Sequence, residues 1–383
     1  MHIYLDNAAT TQLDPRVLKA MMPYLGPKYA NASSIHALGQ SNNLDLESAR
    51  QTVAGILGLN SAGLVFTSGA SEANNFILRG IMQANQAKGK HLIVSAIEHP
   101  CVYQTARVLA RNGYEVDIAP VDKNGLIDLA SLAKLIRSDT VLVSVMAVNN
   151  EIGSVQNLAA IAKIVHQQGA YFHSDIVQAI PYLQLNLSKL GVDCASFSAH
   201  KFYGPKGVGA AYIRPGIKSE PLISGGEQEN GYRAGTYNLP GIIGLASALE
   251  VAYKERSLYL PRVKTLRDYF WQCLRKELSG LKLNGNLKNR VANNLNVCFS
   301  KIEGEAILMD LSLKGVYVST GSACSAHNLK SSYVLSAIGL ADYDLNSNIR
   351  FSLGRYNTKR EIDLTVAALK KTVSRLRAFS PVK

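Results

Sequence analysis

Six short apolar runs, at 64–66, 92–94, 140–147, 171–173, 194–197 and 208–213, punctuate the middle of the chain, with helix-like stretches at 72–88, 100–112, 128–138 and 157–168 lying between them. That alternation is the strongest constraint on the fold. Strands joined through helices run parallel, and the helices then cover both faces of the sheet. The run 140–147 is β-branched and wholly apolar at its centre, as a strand buried on both faces requires. The expected class is α/β, with a mostly parallel sheet in a large domain at 12–255.

Beyond about residue 240 the pattern changes. A long helical region, roughly 240–280, leads into 293–299, 304–314 and 316–318, and a final helix begins near 359. There Ile362, Val366, Leu369, Val373 and Leu376 recur in steps of four and three, one apolar stripe on a helix. Strands and helices look segregated, so 256–383, joined by 1–11, is expected to form a smaller α+β domain. At 383 residues and 47% hydrophobic content, the chain can bury two cores.

No apolar run approaches the roughly 18 residues of a membrane span. The first residues, Met1-His2-Ile3-Tyr4-Leu5-Asp6, match neither a secretory signal nor an Arg/Ser-rich transit peptide. The expected location is therefore cytoplasmic. The net charge of +13 raises nucleic acid as a partner, but the basic residues are dispersed and form no run. A solvated basic surface is expected, without direct nucleic-acid binding; transient docking on an acidic protein or a tRNA stays open. Five cysteines (Cys101, Cys194, Cys273, Cys298, Cys324) are scattered and form no CxxC, which argues against a disulfide framework or a metal site.

The chemistry concentrates at strand ends. In Ser198-Ala199-His200-Lys201, a lysine follows a strand-like run and precedes a glycine-punctuated turn. A partly desolvated amine with cationic neighbours spends time unprotonated, as covalent bonding to a cofactor aldehyde needs. Thr67-Ser68-Gly69-Ala70-Ser71-Glu72 joins a strand to a helix, where backbone N–H groups and hydroxyls suit a phosphate, although serine ahead of glutamate is also ordinary helix capping. His99 just after a strand suits stacking or proton transfer. Asn149-Asn150-Glu151 and His173-Ser174-Asp175 end two further strands, at the carboxyl edge where α/β sites gather. An aspartate there pairs naturally with a pyridinium nitrogen. Each alone is also an ordinary strand-end cap.

In this order the parts resemble the fold type I pyridoxal-phosphate enzymes. Small residues around Cys324, in Gly321-Ser322-Ala323-Cys324-Ser325, form a loop (about 319–333) presenting a candidate nucleophile. With this loop the chain is similar to the cysteine desulfurases of NifS/IscS type. Tyr-Leu-Asp-Asn-Ala-Ala-Thr-Thr at 4–11, Glu98-His99, Asn-Asn-Glu-Ile-Gly at 149–153, Arg233-Ala234-Gly235-Thr236 and Ile-Arg-Phe-Ser-Leu-Gly-Arg at 349–355 extend the resemblance nearly end to end.

The resemblance implies a mostly parallel seven-stranded sheet plus a small α+β domain, and pyridoxal 5'-phosphate as the cofactor. It implies that Lys201 holds the cofactor as a Schiff base and then moves the Cα proton of L-cysteine. Asp175 would pair with the pyridine nitrogen, Gln178 with the phenolic oxygen, and His99 would stack on the ring. Asn150 would contact cofactor and substrate. Ala70, Ser71, Ser198 and His200 would bind the phosphate. Thr236 would reach the phosphate of a neighbouring subunit, so a homodimer is implied. Arg350 would clamp the substrate carboxylate. Cys324 would take the sulfur as a persulfide, releasing L-alanine, and pass it to an iron–sulfur scaffold or a tRNA-thiolation enzyme. His327 could lower its pKa, or be a plain loop histidine. Ser71 stands where many members carry threonine. The chain ends at Lys383, before the longer tail with which IscS-type members dock the scaffold protein. Two other readings stay open: a selenocysteine lyase or aminotransferase of the same fold, which would not need Cys324, and a non-catalytic sulfur carrier or nucleic-acid-binding scaffold using the basic surface.

Overall fold

The computed structural model describes residues 2–321 and 331–379. In chain order its elements are β1 (Ile3–Tyr4), α1 (Pro15–Leu25), α2 (Ala37–Leu57), β2 (Leu64–Thr67), α3 (Ala70–Ala84), β3 (His91–Ser95), α4 (Pro100–Arg111), β4 (Glu115–Ala119), α5 (Leu129–Leu135), β5 (Thr140–Ser144), α6 (Leu158–Gln167), β6 (Tyr171–Asp175), β7 (Cys194–Ser198) and β8 (Gly209–Ile213). There follow α7 (Leu239–Glu277), β9 (Leu281–Leu283), β10 (Asn294–Phe299), α8 (Gly304–Leu313), β11 (Val316–Tyr317), α9 (Tyr333–Ala337), β12 (Asn348–Ser352) and α10 (Lys359–Phe379).

The central sheet has seven strands in the order β2-β8-β7-β6-β5-β3-β4. Only β8 runs against its neighbours; every other pairing is parallel. Alternation along each strand sends side chains to opposite faces. Ile93, Val143, Ala210 and Tyr212 join one apolar cluster, with α1, α2, α6 and the start of α7. Leu92, Val94, Ala211 and Ile213 join another, with α3 and α4. Both faces are covered, which is why these strands read as continuous apolar runs. Each aliphatic side chain fully buried there contributes about 1.5–3 kcal/mol.

A third cluster forms around the antiparallel sheet β12-β10-β9, with α8, α10 and the second half of α7. Helix α7 gives Leu239 to Ala252 to the first core and Val263 to Leu274 to this one, and Pro261 lies where it passes between them. The amino terminus belongs here as well. Strand β1 pairs with β11, and Ile3 and Leu5 are fully buried in the third cluster.

Four histidines, His91, His99, His173 and His200, are buried enough that desolvation pushes their pKa down. His173 is wholly buried, bonded to Ser144 Oγ at 2.9 Å, and falls to about 3; His200 falls to about 4. The folded chain keeps these rings neutral, whereas the unfolded chain takes up protons below about pH 6.5. Stability is therefore full above that pH and drains away on acidification toward the folded values. His173 alone contributes a slope of about 1.4 kcal/mol per pH unit over that window. The urea midpoint should fall steadily from pH 6.5 to 4.5 and fall less in His173→Asn; a midpoint constant over that range would contradict the burial argument.

Candidate active site

The carboxyl ends of β5, β6 and β7 open into one cavity of about 950 Å³. Its walls carry Lys201, Asp175, Gln178, His99, Asn150, Ser198 and His200, together with Ala70 and Ser71 from α3 and Arg350 from β12. Residues Ala8, Ala9 and Thr10 close one side.

Lys201 ends a single helical turn directly after β7. Its Nζ donates to the carbonyls of Ala8 and Ala9, both at 2.7 Å, and Gln178 Nε2 donates to Ala8 at 2.9 Å. The turn is held from outside. Tyr203 adopts φ +66°, which a bulky residue pays for with roughly 1–3 kcal/mol of backbone strain. Its N–H donates to Thr11 Oγ1, its hydroxyl accepts from the Arg355 N–H, and the Arg355 guanidinium lies 3.9 Å over its ring.

Asp175 is buried at the end of β6, where its carboxylate accepts from Asn74 Nδ2 at 2.8 Å and the Val177 N–H at 3.0 Å. Asn74 is itself oriented, because its Oδ1 accepts from Ser196 Oγ. Opposite stands the start of α3, whose cap position is Gly69 with no side-chain cap. Glu72 instead reaches back to the Ser68 N–H and pairs with Arg233 at 2.9 Å. The helix start thus faces the cavity with backbone donors and a partial positive charge.

His99 caps α4, its Nδ1 accepting from the Cys101 N–H at 3.2 Å. A nitrogen that accepts carries no proton, so the Cys101 thiol at 3.0 Å donates to it as well. Burial pushes that thiol up to about 12, which keeps it a donor. The neutral ring therefore carries its proton on Nε2. Burial lowers the His99 pKa, Asp175 opposes this, and Lys201 adds to it.

Arg350 is 2% exposed, midway along β12 at one side of the small sheet. Its Nη1 donates to the carbonyls of Asn150 at 3.0 Å and Gly321 at 3.3 Å, and its Nη2 to Asp6 at 2.7 Å. Its Nε has no acceptor among the described residues, which leaves a donor on this buried cation for a further anion.

The aminotransferase class-V family model matches residues 3–365. A cysteine desulfurase IscS of Dictyoglomus turgidum is 46% identical over the whole chain and 97% of its own length. Another from Methanosarcina thermophila is 43% identical, covering 99% of this chain and 94% of that protein. A solved NifS-like protein superposes with a TM-score of 0.93 at 39% identity, over 98% of this chain and all of its own. The chain belongs to the class-V aminotransferases, among the cysteine desulfurases.

Of the site residues singled out from the sequence, this family member brings all but three to the one cavity. Thr236 is exposed and does not line it. Cys324, with His327, lies outside the described residues. Sequence reasoning passed over three groups that shape the site: Asp6 on Arg350, Asn74 on Asp175, and Glu98. The Glu98 carboxyl is fully buried and pushed well up, first by desolvation and then by Asp175. One of its oxygens accepts from the Met146 N–H at 2.6 Å and the other has no partner among the described residues. Its place beside His99 was the only signal available.

Proposed function

We propose that the chain removes sulfur from L-cysteine, using pyridoxal 5'-phosphate in this cavity and Cys324 as the sulfur acceptor, and releases L-alanine. The observation that carries the reading is the convergence of Lys201, Asp175 and Arg350 on one cavity flanked by the ends of the Cys324 segment. The residues fit the cofactor: a helix start without a side-chain cap for its phosphate, a buried carboxylate for its ring nitrogen, and a lysine in the same cavity. When bound, the cofactor supplies an electron sink for charge left at the substrate Cα.

The chain's own groups do the rest. Ala70, Ser71, Ser198 and His200 hold the phosphate, with Thr236 of a second subunit; Thr236 is exposed, as a residue serving another copy would be. Asp175 keeps a proton on the ring nitrogen, Gln178 holds the phenolic oxygen, and His99 covers the ring. Asn150 contacts cofactor and substrate. Arg350 takes the substrate carboxylate. Lys201 Nζ accepts the Cα proton and returns one. The Cys324 thiolate then attacks the substrate sulfur. An S–S bond forms, the C–S bond breaks, and its electron pair stays on carbon, which gains a proton on the way to alanine. The persulfide carries the sulfur out to an acceptor of iron–sulfur assembly or tRNA thiolation. We place the reaction in the cytoplasm, and divide the chain into a large domain at 12–255 and a small one at 1–11 and 256–383. Among the described residues no helix is long and apolar enough to cross a membrane.

Purified protein given L-cysteine and a thiol reductant should yield alanine and sulfide in equal amounts. Alanine from selenocysteine but none from cysteine would instead favour the lyase reading. Arg350→Gln removes one partner of a buried charge pair, a loss of about 2–5 kcal/mol. Its kcat/KM for L-cysteine should fall about 30-fold or more. A fall under tenfold would remove Arg350 from carboxylate binding.

A further inference from the structure

Glu151 is a buried carboxylate in the cavity wall to which the mechanism gives no task. It stands where the two ends of segment 322–330 meet the rest of the chain. On the far side of that segment, Ser332 Oγ donates to Glu151 Oε2 at 2.6 Å. On the near side, Gly321 sits at φ +102° so close that a Cβ there would lie 3.2 Å from the same oxygen.

The rest of Glu151 is fixed. Its N–H donates to Asn149 Oδ1 at 2.9 Å, and its carbonyl accepts from Asn294 and Asn296 of β10, both at 3.0 Å. Asn296 is the register partner of Arg350. Next to Glu151, Ile152 packs with Ile97 against Val334, Leu335 and Ile338, so α9 is seated on the same turn. One short turn thus ties together the large sheet, the strand beside Arg350 and both flanks of the Cys324 segment.

We propose that Glu151 is a positioning residue for sulfur transfer, fastening Ser332 by a hydrogen bond and backing Gly321 on the Arg350 side of the cavity, and so setting where Cys324 meets the bound substrate. This rests on the desulfurase reading above. Burial raises the Glu151 pKa, with Ser332 and Arg350 opposing, so the carboxyl is drawn toward its neutral form. An amide of the same shape should then serve nearly as well.

The test compares Glu151→Ala, Glu151→Gln and Ser332→Ala in the holoenzyme. Substrate binding is followed by the change in cofactor absorbance on adding L-cysteine, turnover by alanine, and the flanks by hydrogen exchange of peptides from 316–321 and 331–338. Misplacement by about 1 Å costs roughly 10²-fold in rate. Glu151→Ala should therefore lose about that in kcat, while the substrate dissociation constant moves less than about threefold, and exchange should rise in those two peptides alone. Glu151→Gln should restore turnover to within about threefold of wild type, and Ser332→Ala should follow Glu151→Ala in direction. Ser332→Ala and Glu151→Gln decide the matter if Glu151→Ala does not fold. Unchanged kcat in Glu151→Ala and Ser332→Ala, or faster exchange across the whole chain, would overturn the proposal. Failure of the desulfurase reading is seen separately, as wild type that makes no alanine from L-cysteine.

Discussion

Lys201→Ala should lose turnover by about 10⁴-fold or more, since it removes both the covalent anchor and the base at Cα. The chain around position 201 gives the variant little reason to unfold. Its turn is held by Tyr203, Thr11 and Arg355 rather than by the lysine side chain. Among the contacts the variant loses in the folded chain are the 2.7 Å bonds to Ala8 and Ala9. The prediction is therefore a folded protein with a near-normal melting temperature that is inactive and yields its chromophore to dialysis. Activity within tenfold of wild type would mean that another group moves the Cα proton.

Cys324→Ala should separate the two halves of the chemistry. Arg350, Asp175 and Lys201 remain in place, so L-cysteine should still bind and still change the cofactor absorbance. Without the thiolate nothing receives the sulfur, and alanine formation should fall by at least about 10³-fold. A Cys101→Ala variant controls for the other thiol beside the cavity. Cys101 keeps its proton and donates to His99, so this change should alter the pH profile while leaving the persulfide site intact.

The parallel sheet was legible because its strands are buried on both faces and read as unbroken apolar runs. Strand β4 was not. Its edge position leaves Glu115 and Ile118 exposed, and Glu-Val-Asp-Ile-Ala, with its interleaved charges, lacks the unbroken apolar run of the buried strands. Apolar spacing at 44–57 (Ala49, Val53, Ile56, Leu57) predicts only the later part of helix α2, which begins at Ala37, where the His36 ring caps the Gly39 N–H. In the site, Lys201, Asp175, His99 and Asn150 could be found because each closes or soon follows an apolar run that reads as a strand. Asp6 and Glu151 could not. Asp6 acts on Arg350 from 344 positions away, and Glu151 on Ser332 from 181, and no local pattern encodes such pairings. Arg350 was read as a substrate clamp, but its ties to Asp6 and Gly321 emerge only from the fold.

The most direct measurement is intact-protein mass spectrometry after one turnover with L-cysteine and no reductant, followed by peptide mapping. Wild type should gain the mass of one sulfur atom per chain, located on the peptide bearing Cys324, with one alanine released for each. Cys324→Ala should gain none. Alanine formed without added sulfur on that peptide, or sulfur carried equally well by the variant, would contradict the persulfide mechanism and leave the lyase reading in its place.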